Sequence, residues 1–151
     1  MITAILNTLV FFVAAAVALD VSHPRGDYVR RSPEYGFGFY NATGQELEDS
    51  GITWVGDGRF HSAGGGVMAV GSTKTQDDEP APIPEKVTAF WKTADGKMHR
   101  KEVEVAPLVT DLKGFTGTIW LKFTNEGVTV VPMTNKEQDR LAFERKPIRP
   151  E

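Results

Sequence analysis

Cysteine is absent from this sequence. That excludes disulfide staples, thiolate metal sites, a cysteine nucleophile and a lipidated N-terminal cysteine. It leaves the compartment open, because a domain of this size can fold in an oxidising space without cross-links. Basic clustering is missing too. Lys and Arg number 17 against 20 Asp and Glu, a formal net charge of −3. No basic stripe forms, so nucleic acid is not an expected partner. His23, His61 and His99 lie in separate segments, whereas a metal site needs several convergent ligands. There is no Gly-x-Ser-x-Gly elbow. The sequence therefore names no catalytic residue, no cofactor and no metal, and an enzyme is the least expected class.

Charge is also absent from the start of the chain: no charged side chain precedes Asp20. Ile2 to Leu19 is an uncharged, mostly apolar run, and 18 helical residues reach about 27 Å, barely a bilayer core. Three readings compete for residues 1–19. Ala16-Val17-Ala18 fits the small-x-small pattern of a cleaved secretory signal, although no Lys or Arg precedes the apolar stretch. An uncleaved anchor is the second reading, and Arg25, Arg30 and Arg31 would then hold the domain in the cytoplasm. A buried core helix is the third. Asn7 and the Ala-rich end favour a short leader, so the expected location is periplasmic or exported, with membrane anchoring as the alternative. Residues 20–33, polar and with two prolines, read as a linker.

From Glu34 onward short apolar runs are broken by Gly, Asn and Asp, which is a strand pattern. Tyr35, Phe37 and Phe39 alternate with Gly36, Gly38 and Tyr40, as in a strand approached closely by another backbone. Ile52 to Val55 and Arg59 to Ala63 flank Gly56-Asp57-Gly58, a hairpin signal. Gly64-Gly65-Gly66 suggests a bulge or sheet corner more than an anion-binding nest, and the apolar run Val67 to Val70 follows it. Ser72 to Glu85, with three prolines and the acidic triplet Asp77-Asp78-Glu79, reads as a long exposed loop that excludes a central strand.

Two later hairpins can be read in register. Val87, Ala89 and Trp91 share a face with Val103 and Val105 only if the loop between the strands has an odd length. Ala94-Asp95-Gly96 supplies it, with a left-handed Gly96, and pairs Val87 with Val103. Ile119, Leu121 and Phe123 join Val128 and Val130 on one face only across an even loop. Thr124-Asn125-Glu126-Gly127 supplies that and pairs Phe123 with Val128. Thr134-Asn135-Lys136-Glu137 matches a capping box and predicts a short surface helix to about Phe143, followed by a loose tail.

The remaining chemistry reads as structure. Trp54, Trp91 and Trp120 could line a sugar platform, but each lies inside a predicted strand, where burial is the default. His99 reads as a hairpin residue near Trp91. Glu46, Glu48 and Asp49 look solvated, as does the Asp77-Asp78-Glu79 triplet. Asn41-Ala42-Thr43 is a glycosylation sequon, relevant only on a eukaryotic secretory route.

The order of features from Tyr35 to Val105 carries a resemblance. It runs Phe39-Tyr40-Asn41-Ala42-Thr43-Gly44, Ala63-Gly64-Gly65-Gly66, Pro82-Ile83-Pro84, Val87-Thr88-Ala89-Phe90-Trp91 and Lys101-Glu102-Val103-Glu104-Val105. This resembles a loose group of small bacterial envelope proteins, many of them lipoproteins and some beside type VI secretion genes. Relatives often carry a lipidation Cys and a Cys pair after the glycines, where this chain has Val67-Met68-Ala69.

The expectation is an all-β domain, an antiparallel β-sandwich of seven or eight strands over residues 34–133, with a short helix and tail over 134–151. The resemblance implies a non-enzymatic exported protein-binding domain, in its sharpest form an immunity-type inhibitor of a secreted toxin. Asp77, Asp78 and Glu79 are the expected partner contacts. A structural subunit of an envelope assembly and a small enzyme are the alternatives.

Overall fold

The computed structural model describes residues 35–77 and 82–151. The apolar run 1–19, the linker 20–33, and Asp78 and Glu79 lie outside the described residues. Among the described residues eight strands and one α-helix follow in chain order, with a 3-10 turn at Ala106–Leu108. They are β1 (Tyr35–Asn41), β2 (Leu47–Gly56), β3 (Arg59–Gly64), β4 (Thr73–Gln76), β5 (Lys86–Thr93), β6 (Met98–Glu104), β7 (Gly117–Thr124), β8 (Gly127–Thr134) and α1 (Asn135–Phe143). Among the described residues no helix is long and apolar enough to cross a membrane.

Turn chemistry sets the three hairpins. Between β5 and β6 the Gly96 N–H donates to the Thr93 carbonyl (2.8 Å) and the Thr93 N–H to the Lys97 carbonyl (3.1 Å). Gly96 takes φ +83°, and the three-residue loop pairs Val87 with Val103. Between β7 and β8 Phe123 pairs with Val128. The ladder runs one pair further to Thr124 and Gly127, so the turn itself is Asn125-Glu126. The β2–β3 hairpin closes on Gly56 and Arg59. Asp57 and Gly58 both have positive φ, +49° and +69°, as a two-residue turn matched to strand twist requires.

The strands form two four-stranded sheets, ordered β4-β1-β7-β8 and β3-β2-β5-β6. Every pairing is antiparallel except β1 with β7, which run parallel. No turn joins those two strands, so nothing local in the sequence sets their relative direction. Their register places Phe37 beside Ile119 and Phe39 beside Leu121. The inward residues of both sheets share one apolar cluster. Phe37 and Trp54 rings approach to 5.2 Å, and Trp91 and Phe123 rings to 5.7 Å. Each fully buried side chain of this size contributes about 1.5–3 kcal/mol, so this cluster outweighs the exposed ion pairs Lys86–Glu102 and Lys92–Glu48.

Two local expectations are corrected. Ser72 to Glu85 is not all loop. Thr73–Gln76 forms the edge strand β4 on β1, because alternating Thr-Lys-Thr-Gln suits an edge and all three prolines come later. Val67 to Val70 forms no strand and makes only the bridge of Met68 to Leu47. The tail is docked rather than loose. Arg149 donates to the Gly71 carbonyl (3.2 Å), its guanidinium sits 5.0 Å from the Tyr40 ring centroid, and Pro150 is buried.

That docking closes the outer face of the first sheet. The helix starts on its capping box, with the Thr134 hydroxyl accepting from the Glu137 N–H (3.2 Å) and the Glu137 carboxylate accepting from the Thr134 N–H (3.4 Å). It packs on β7 and β8, where the Gln138 amide donates to the Thr118 hydroxyl (3.2 Å) and the Met133 carbonyl (3.3 Å). Trp120, on the Thr118 side of β7, is 1% exposed. The glycines of β1 make this possible. A Cβ on Gly38 would stand 2.5 Å from the Trp120 ring, and one on Gly36 would stand 2.5 Å from the Gln76 carbonyl. The close approach expected from the glycines is therefore a strand at Gly36 and an indole at Gly38.

Gly38→Ala is expected to destabilise the domain by about 2 kcal/mol through overpacking. Pairing it with Trp120→Leu should recover most of that loss in a double-mutant cycle measured by chemical denaturation. Additive costs would show that the indole does not need the glycine.

Candidate functional site

Of the acidic triplet, Asp77 is the member among the described residues. Asp77 follows β4 and is exposed, beside Gly36. It borders a shallow polar depression with Tyr35, Gly117, Thr118, Asn135 and Gln138. Asp78 and Glu79 lie outside the described residues, so the structure brings no second acid to Asp77.

The triple glycine is a sheet corner whose donors are taken within the protein. All three residues have positive φ. The Gly64 N–H meets the Gln76 side-chain oxygen (3.2 Å), the Gly65 N–H the Ser50 carbonyl (2.6 Å) and the Gly66 N–H the Asp49 carboxylate (2.7 Å). The three N–H groups thus go to three separate acceptors, and only that of Gly66 meets an anion, the Asp49 carboxylate. Lys74 closes the corner by donating to the Gly65 carbonyl (2.9 Å).

The tryptophans are core. Trp54, Trp91 and Trp120 are all under 9% exposed, so none offers a sugar platform. Trp54 stacks on its cross-strand neighbour His61 (5.2 Å, 12°), and Trp91 on His99 (5.1 Å, 7°). Asn41 of the sequon is fully buried, and its amide nitrogen is hydrogen-bonded to Gln45, Met68 and Ala69 carbonyls. The folded domain therefore does not present it to a glycosyltransferase.

Two concave regions remain. One is the uncovered outer face of the second sheet. A shallow hollow of about 340 Å³ runs across it between Asp49, Thr53, Phe60, Thr88, Phe90, Met98 and Arg100. Phe90 lies over Gly51, where a Cβ would stand 2.9 Å from the ring. Val55 and Phe60 are cross-strand partners at the tip of the β2–β3 hairpin, 73% and 72% exposed, and Met98 is 46% exposed. No described element packs over these side chains. The sequence reading missed this face. Its signal was available: the register that turns Ala89 and Trp91 inward turns Thr88 and Phe90 outward, and an outward Phe is the anomaly.

The second region is a hollow of about 330 Å³ where the β1–β2 turn, the β5–β6 hairpin and the β7–β8 turn meet. Its lining includes Thr43, Gln45, His99, Lys101, Asn125 and Glu126.

Among the described residues four ionisable groups are displaced, and all are explained by surface contacts. Lys92 is raised by its hydrogen bond and charge contact with Glu48, and Lys86 likewise by Glu102. Glu144 is lowered by Lys146 and Arg140. Asp95 is lowered because its carboxylate accepts the Thr93 hydroxyl (2.6 Å) and the Lys97 N–H (3.1 Å). Both displaced carboxyls move toward the ionised form, opposite to what a general acid requires. Among the described residues no group of three or more His, Cys, Asp or Glu side chains converges as metal ligands would.

No protein-family model matches the sequence. No curated protein matches it either. A solved structure, the NMR structure of a protein from Eubacterium rectale, is similar over 68% of this chain and 91% of its own length, at 15% identity and a TM-score of 0.44.

The Asp95 displacement carries a test. Its folded-state value lies below the ordinary 3.8, so its stabilisation of the hairpin is present above that value and is lost as pH falls through the lowered one. A proton titration followed by NMR should place the Asp95 midpoint below 3.8, and Thr93→Val should move it upward. A midpoint at or above 3.8 would show that the loop does not hold the carboxylate.

Proposed function

We propose that this chain is a non-enzymatic protein-binding domain that works outside the cytoplasm and docks through the open face of its second sheet. The observation that carries the reading is the pair Val55 and Phe60, more than two thirds exposed on adjacent strands. Phe90 and Met98 line the hollow beside Phe60 and add to this exposed apolar patch, of the kind that marks interaction sites. Aromatic residues and Met are also the types enriched at the centres of interfaces. We take the two sheets as a β-sandwich, supported by the ring contacts between their inward faces. The apolar run Ile2 to Leu19 supports export to the periplasm or beyond, with membrane anchoring as the alternative.

In its sharpest form the domain is an immunity-type inhibitor of a secreted toxin, as the resemblance implies. Asp77, Asp78 and Glu79 then act at a distance from the docking face, since Asp77 borders the first sheet, and steer a basic toxin so that they set the association rate more than the affinity. The competing reading, a structural subunit joined through sheet edges, meets defended edges. Pro132 interrupts the donor row of β8. Arg100, Lys101, Glu102 and Glu104 charge β6, and Gln76 and Lys74 tie β4 to the Gly64–Gly66 corner.

The test is affinity capture from the host's exported proteins, using wild type, Val55→Asp/Phe60→Asp, and Asp77→Ala/Asp78→Ala/Glu79→Ala. Wild type should retain a defined partner in stoichiometric amount. The apolar-face variant should lose at least about tenfold in affinity, as expected for interface anchors, while its thermal melting stays near wild type. The acidic variant should mainly slow association. A partner held equally by the apolar-face variant would refute this docking surface, and a partner bound unchanged by the acidic variant would remove the triplet from the contact.

A further inference from the structure

The hollow at the meeting of three turns points to a second binding site, separate from the apolar face. The β1–β2 turn brings Thr43 and Gln45, the β5–β6 hairpin brings His99, Arg100 and Lys101, and the β7–β8 turn brings Asn125 and Glu126. The hydroxyls of the wall are committed to the wall itself. Thr43 bonds Asn41 (2.6 Å) and the Gln45 carbonyl (2.8 Å), Thr93 bonds Asp95, and Thr124 bonds the Gly127 carbonyl (3.3 Å). The Asn125 side-chain oxygen accepts the Gly44 N–H (3.4 Å), which ties the first turn to the last. The walls therefore hold one another and need no ligand to form.

What remains unused is mostly donor capacity. Among the described residues the Lys101 side chain makes no ion pair and no hydrogen bond. The Asn125 amide N–H groups and the Gln45 side chain are likewise without partners. Strand alternation turns Arg100 to the outer face with Phe90 and Met98, so one cation, Lys101, stands in the hollow with one carboxylate, Glu126. Lys101 is seated against Gly127, its ammonium 3.3 Å from where a Cβ would stand. Gly127 has φ +141°, a backbone that disfavours a side chain there, so room beside the ammonium is built into the turn. Glu126 lines the same hollow without pairing to Lys101.

We propose that this hollow binds a small oxyanion, a carboxylate or phosphate group on a small molecule, held by Lys101 and Asn125. Its volume is at the lower end of ordinary ligand pockets, which fits one compact anion and little more. A charge-assisted hydrogen bond to Lys101 supplies most of the affinity. The proposal does not rest on the docking surface, and its variants leave Val55, Phe60 and Phe90 untouched.

The experiment is an amide-shift NMR titration of the full chain with inorganic phosphate and, separately, citrate, at constant ionic strength in chloride. Saturable shifts are expected at the backbone of residues 99–101 and 125–127 with at least one probe. The choice of probe separates phosphate from carboxylate preference. Lys101→Gln should weaken binding about tenfold, the equivalent of one charge-assisted hydrogen bond. Glu126→Gln should tighten it by removing the competing carboxylate, and Lys113→Gln, outside the hollow, should change nothing. The unchanged spectrum elsewhere checks that each variant is folded. Absence of saturable shifts with both probes, or equal affinity in Lys101→Gln, would overturn the proposal.

Discussion

One buried amide holds the described domain together. Asn41 ends β1, is fully buried, and uses both its donors and its acceptor. Its nitrogen donates to the Gln45 (2.9 Å), Met68 (2.9 Å) and Ala69 (3.1 Å) carbonyls, and its oxygen accepts the Thr43 N–H (3.0 Å) and hydroxyl (2.6 Å). Its own backbone is paired too, with Ser72 and Gly71. Three segments that never form a common ladder are therefore joined at one side chain: the end of β1, the turn into β2, and the irregular return from the glycine corner to β4. Leaving those carbonyls without donors would cost about 1–3 kcal/mol each, and no apolar residue at 41 could supply them. The Thr43 and Gln45 wall of the oxyanion hollow descends from the same amide.

A consequence of the two-sheet arrangement is that each outer face must be covered or presented. The first sheet is covered. Gly38 admits the Trp120 indole, Gln138 fastens the helix on Thr118, and Arg149 seals the edge at Tyr40 and Gly71. The second sheet keeps Val55, Phe60, Phe90 and Met98 outward, with no described element over them. Chain that covers one face and leaves the other apolar is an arrangement that selection against aggregation would remove unless the open face had a use. The functional reading rests on this asymmetry and not on any reactive group.

Much of the local fold was legible. The alternation of Val87, Ala89 and Trp91 against Val103, and of Ile119, Leu121 and Phe123 against Val128, required an odd loop and an even one, and both registers stand in the structure. Side-chain period and turn length are short-range properties, so one sequence contains them. The capping box at Thr134 and Glu137 is local in the same way. Strand order is not local. Nothing near β1 says that its neighbours are β4 and β7, or that it runs parallel to β7. Nor does the composition of residues 145–151 reveal that Arg149 and Pro150 dock. The candidate surfaces were less legible still. The acidic triplet attracted notice because charge runs stand out in a string, whereas Phe60 and Phe90 matter only once the outward side of each strand is known. Lys101 and Asn125 meet only after two hairpins and a turn are brought to one end.

The claim that Asn41 locks the described domain is tested most directly by the equilibrium unfolding free energy of Asn41→Asp, a near-isosteric change that replaces the donor facing three carbonyls with a carboxylate. A loss of at least about 3 kcal/mol is expected, from unsatisfied carbonyls and a buried charge together. Stability within about 1 kcal/mol of wild type would contradict the account and move the constraint elsewhere in the fold.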